Sequence, residues 1–109
     1  LNTPARFHMG FPIPVGKEGN VEGYHCWADY YVEGEGWSPV DISEADKNPG
    51  KEDYFFGTVC NNRLEMMVGR DFKLQGYELE VVNFFIYPLM EIDDQISDSF
   101  RKTFKYKNL

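Results

Sequence analysis

The chain has 109 residues, with 18 acidic side chains against 11 basic ones and a formal net charge of −7. Its length fits one domain, residues 1–109, and 42% hydrophobic with 27% charged residues is the composition of a folded chain rather than a disordered one. An acidic balance lacks the positive footprint that a nucleic-acid backbone needs, and no apolar stretch approaches the ~18–20 residues of a membrane-spanning helix, so neither partner is expected.

Aromatic residues make up 17% of the chain, which favours strands. Residues 5–13 carry Phe7, Met9 and Phe11 in alternation, predicting a strand. Pro12 and Pro14 end it, because proline cannot donate to a ladder. Residues 16–23 are polar with three glycines and read as a loop. Residues 24–32 are the clearest strand; Glu33-Gly34-Glu35-Gly36 is turn chemistry, and residues 37–42 form the returning strand. Ser43 is the expected cap of a short helical turn over residues 44–47, which Asn48-Pro49-Gly50 breaks.

Further on, residues 63–68 and 77–87 read as strands, residues 91–94 as an acidic turn, and residues 95–109 as a last strand. Gly69-Arg70-Asp71 reads as a turn with an ion-paired rim. The expected fold class is α+β, mostly antiparallel sheet with little helix.

Cys26 and Cys60 do not make a disulfide framework. One bridge is open to them, but two thiols in an ordinary composition fit a reducing compartment as well, which slightly favours the cytoplasm. His8 and His25 lie far apart, and no Cys-x-x-Cys or His-x-x-x-His spacing is present, so no metal or other cofactor is expected. The chain opens on Leu1 rather than Met, as a piece of a longer protein would.

Strand parity locates the candidate chemistry. Successive side chains alternate between faces, so Tyr24, Cys26, Ala28, Tyr30 and Val32 share an apolar face, and His25, Trp27, Asp29 and Tyr31 share the other. Matching the apolar faces of the hairpin puts His25, Trp27, Trp37 and Asp41 together. A turn centred on Gly34 sets Asp41 opposite Trp27, with His25 its diagonal neighbour at about 7–8 Å of backbone separation. A turn centred on Glu35 would face Asp41 with Asp29 and carry His25 out of reach; the first register is favoured. An aspartate accepting the imidazole N–H fixes its tautomer and stabilises the imidazolium, which a histidine base needs. A satisfied polar pair with no catalytic role is the plain alternative.

These residues also resemble a known family. Pro4-Ala5-Arg6, His25-Cys26-Trp27-Ala28-Asp29-Tyr30-Tyr31 and Gly34-Glu35-Gly36-Trp37-Ser38-Pro39-Val40-Asp41 are similar, in order and spacing, to the second half of the transglutaminase-like (papain-like) core. The likeness covers residues 1–45 closely and continues through Tyr54-Phe55-Phe56-Gly57 and Gly69-Arg70-Asp71, as in bacterial members described as cysteine proteases. It implies a Cys–His–Asp triad with His25 as base and Asp41 as its orienting carboxylate, acting on protein or peptide amides. Its nucleophile sits at a helix N-terminus upstream of the Pro-Ala-Arg strand, where the helix dipole favours the thiolate. That position is missing here, so the chain alone is expected to be inactive.

Of the thiols present, Cys26 points away from His25 by strand alternation and reads as a core residue, while Cys60 follows both partners in the chain and is the less favoured nucleophile. Trp27 and Trp37 are candidate walls of a substrate cleft, although sheet packing explains them equally. Arg6 is expected to pair with an acidic side chain, and His8 to be structural or on the surface. Rival readings are a non-catalytic binding or structural module on the same scaffold, or an unrelated β-sandwich recognition domain. A sheet cut from a larger fold exposes surface, which points to self-association of the fragment.

Overall fold

The computed structural model describes residues 2–109. In chain order the strands are β1 (Ala5–Pro12), β2 (Glu18–Val21), β3 (His25–Val32) and β4 (Gly36–Val40), followed by the short helices α1 (Ile42–Lys47) and α2 (Glu52–Phe55). After them come β5 (Arg63–Val68), β6 (Phe72–Leu74), β7 (Tyr77–Val82), β8 (Glu91–Ile92), β9 (Gln95–Ile96) and β10 (Phe104–Lys107). The protein is mostly antiparallel sheet with few helices.

The main sheet runs β4-β3-β1-β5. One of its faces, through Met9, Phe11 and Met67, meets Val21 and Ile86 to form the buried core. Cys26 packs against that core, as alternation along β3 requires. Between Met9 and Gly10 the β1–β5 register shifts by one residue, a bulge that leaves Met66 unpaired. Gly10 allows β5 to close in there, since a Cβ at that position would lie 1.9 Å from the Leu64 carbonyl oxygen.

Several sequence expectations need correction. The polar glycine-bearing stretch at 16–23 is not all loop, because β2 lies within it and pairs with β10, Gly19 facing Tyr106 and Val21 facing Phe104. Those glycines are where the Tyr106 ring rests: its Cε1 would be 3.0 Å from a Cβ at Gly19. The strand expected over 77–87 stops at Val82, where the Asn83 side chain bonds the backbone N–H and carboxylate of Asp71. The chain then turns through Phe84–Tyr87 and delivers Ile86 to the core. Asp71 thus bonds Asn83, and the Arg70 guanidinium lies 5.6 Å over the Phe7 ring instead of making the expected ion-paired rim.

The acidic turn is a two-residue hairpin loop at Asp93 and Asp94, whose φ values of 51° and 58° are the left-handed pair that suits the twist of a tight hairpin. Among the described residues no helix is long and apolar enough to cross a membrane.

Candidate active site

The β3–β4 hairpin pairs Val32 with Gly36, Tyr31 with Trp37 and Ala28 with Val40, so its centre is Gly34. Gly34 and Gly36 carry φ values of +84° and +101°, which only glycine adopts without strain. Continuing that register places Asp41 beside Trp27 and one diagonal step from His25. The side chains meet: His25 Nε2 lies 2.6 Å from Asp41 Oδ2.

Asp41 does two jobs at one point in the chain. It is the N-cap of α1, with Oδ1 accepting the Glu44 backbone N–H at 3.0 Å and the Ser43 hydroxyl at 3.0 Å. The cap is therefore Asp41, and not Ser43 as the sequence suggested; the helix begins two residues earlier, at Ile42, and the Ser43 hydroxyl serves the capping carboxylate. Asp41 is fully buried. Burial by itself pushes its carboxyl pKa up, but the hydrogen bonds from His25 and the Glu44 N–H, the charge of His25 and the contact with Arg63 outweigh it and hold the group below its ordinary value.

A carboxylate only accepts, so in the neutral ring His25 carries its proton on Nε2 and its lone pair on Nδ1. Nδ1 has no hydrogen-bond partner among the described residues. With its side chain 11% exposed, His25 is a held imidazole whose basic nitrogen is uncommitted.

Arg63 is the residue that sequence reasoning missed. It starts β5, and its Nη1 lies 2.9 Å from Asp41 Oδ2, the same oxygen that meets His25. The rest of the guanidinium is tied down: Nε donates to the Cys60 carbonyl and Nη2 to the Cys60 sulfur, each at 2.9 Å. Polar Arg63 and Glu65 alternating with Leu64 and Met66 was the available signal, but it does not say which strand they lie beside. The Cys60 thiol is thus directed at Arg63, and it makes no hydrogen bond to His25.

A second cluster continues along the same face of the sheet. His8 Nδ1 lies 2.7 Å from Glu65 Oε2 and Nε2 lies 3.1 Å from Asp29 Oδ2, while Arg6 Nη2 donates to that Asp29 oxygen at 2.9 Å. Arg6 therefore pairs with an acid as expected, and His8 is buried structure rather than surface. Trp27 separates the two clusters. Its indole stacks on His8 at 5.6 Å and on His25 at 6.2 Å, with the Arg63 guanidinium 4.8 Å over the ring.

Trp27 and Trp37, the candidate cleft walls, do not lie side by side. Trp27 is buried in the sheet face, although it borders an apolar hollow of about 440 Å³ with Phe7, Cys26, Val40 and Ile42. Trp37 faces Tyr31, six residues along β3 from His25 and so about 20 Å away, with Arg6 stacked 3.8 Å over its ring. Among the described residues no group of three or more His, Cys, Asp and Glu side chains is placed to hold a metal.

No protein-family model matches the chain, and no solved structure matches it. Over 99 aligned residues it is 35% identical to an uncharacterized protein of Haemophilus influenzae, an alignment covering 77% of this chain and 27% of that protein. The chain thus spans about a quarter of the length of that relative.

Proposed function

We propose that these residues form the His–Asp portion of a transglutaminase-like, papain-like site that transfers acyl groups from amide or peptide bonds through a cysteine thiolate. The observation that carries the reading is the 2.6 Å contact of His25 Nε2 with a buried, ionised Asp41, leaving Nδ1 free to accept a proton. The order of the motifs supports it too: the Pro-Ala-Arg, His-x-Trp and Gly-Trp-x-x-x-Asp elements all lie on three adjacent strands and their ends.

In this reading His25 Nδ1 takes the thiol proton, and the thiolate attacks the amide carbonyl carbon. The C–N bond breaks as His25 returns the proton to the leaving amine, giving a thioester. Water then attacks the thioester, with His25 as base again, and the acid and the free thiol are released; hydrolysis is preferred to transfer onto an amine. Asp41 orients the ring and stabilises the imidazolium in both halves. The nucleophile is a thiol on a longer chain, ahead of Pro4, and the matched Haemophilus influenzae protein is long enough to carry such a segment. Cys60 is not assigned the role, because its sulfur is engaged by Arg63.

The test is to trap the acyl-enzyme. Full-length protein mixed with a peptide p-nitroanilide and quenched within the first turnovers should gain the mass of the acyl group on one cysteine outside residues 1–109. A protein that binds peptides but never acylates would be the non-catalytic module instead.

A further inference from the structure

We infer that Arg63 is a positioning residue of the dyad, holding Asp41 in the one ionisation state and rotamer that forces His25 into its Nε2–H tautomer. The inference rests on the reading of His25 as a base, but its test does not.

Asp41 Oδ2 hydrogen-bonds His25 Nε2 at 2.6 Å and forms an ion pair with Arg63 Nη1 at 2.9 Å, a charge contact rather than an aligned hydrogen bond. Without a permanent cation, a buried carboxylate beside an imidazole has a second option. It can hold the proton itself and present a neutral acid to the ring, which then sits equally well with either nitrogen protonated. Guanidinium does not give up its proton, so a guanidinium at 2.9 Å makes the protonated acid the costly state. Arg63 is also fixed in place, since its side chain is 7% exposed and its other nitrogens are bound by the sulfur and carbonyl of Cys60. The indole of Trp27 lies against both the guanidinium and the imidazole, so neither can swing away from Oδ2 without opening the stack. Arg63 comes from the far edge of the sheet, so the start of β5 and the segment before it reach Asp41, at the end of β4, across the two intervening strands.

The experiment is long-range ¹H–¹⁵N correlation of the histidine rings in this chain, which reads the tautomer of His25 directly. Wild type should show Nε2–H alone at neutral pH. Arg63→Met should lose that single state and show both tautomers, with backbone shifts of β1 and β3 unchanged. Arg63→Lys, which restores the charge, should recover the Nε2–H form. A folded Arg63→Met with the wild-type tautomer, or an Arg63→Lys indistinguishable from it, would overturn the proposal. If Arg63→Met does not fold, Arg63→Gln is read in its place; failure of both neutral variants to fold would make Arg63 a structural residue and likewise overturn it. Failure of the acyl-transfer reading looks different: the tautomer responds as described, yet the full-length protein forms no thioester.

Discussion

The imidazole of His8 stacks on the indole of Trp27 with ring centroids 5.6 Å apart and planes 13° from parallel, and His25 stacks on the same indole at 6.2 Å. One buried ring therefore holds two histidines and an arginine in place. Trp27→Ala should destabilise the chain by about 3–5 kcal/mol, the range for emptying a buried aromatic site, while Trp27→Phe should cost less. Urea unfolding at constant slope checks both.

Asp41 predicts acid sensitivity. Its folded pKa lies below the ordinary 3.8, so near that value the unfolded chain binds more protons than the folded one. Its contribution is therefore complete above the ordinary carboxylate range and is lost as pH falls through the folded value. Urea midpoints followed from pH 6 down to pH 2 should drop more steeply for wild type than for Asp41→Asn. At pH 7, Asp41→Ala leaves His25 without its hydrogen-bond partner and the buried Arg63 charge without its counter-ion, and should cost about 3–5 kcal/mol.

Gly10 tests the bulge. A Cβ there would meet the Leu64 carbonyl oxygen at 1.9 Å, and backbone cannot rotate aside as a side chain does. Gly10→Ala should cost at least the ~1–3 kcal/mol of an overpacked site. Because the bulge sets where β5 lies on β1, the same variant should disturb Arg63 and broaden the His25 ring resonances. A stable variant with unchanged His25 signals would show that β5 adjusts freely.

Trp37 should behave unlike Trp27. It is 42% exposed and holds Arg6 by a cation–π contact, of the kind that contributes about 0.5–1 kcal/mol at exposed sites. Trp37→Ala should therefore be a mild variant that leaves the His25 tautomer untouched, read by the same unfolding and ring-nitrogen measurements.

Much of the hairpin was legible in the residues because its information is local. Parity assigned His25, Trp27 and Asp41 to one face, and two glycines demanding left-handed backbone around residue 34 set the register that joins them. What escaped was non-local or carried by absent side chains. Arg63 reaches Asp41 only because β5 pairs with β1 on the side away from β4, a fact about strand order that no periodicity encodes. The β2–β10 ladder joins segments more than eighty residues apart, and on β2 it is made by glycines that the Tyr106 ring covers, so the stretch looked like loop. In the sequence, Asp41 shows itself only as the diagonal partner of a histidine. Its second role as helix cap was hidden by the nearer and more obvious Ser43.

The central claim is that His25 moves a proton for a thiol and that Asp41 makes it able to. The most direct measurement is kcat/KM on a peptide amide for full-length protein with His25→Ala and with Asp41→Ala, beside enzyme alkylated with iodoacetamide. Both substitutions should cut kcat/KM by about 10²–10⁴-fold, the usual contribution of a general base and its support, and alkylation should abolish turnover. Turnover that survives His25→Ala at wild-type rate would contradict the account.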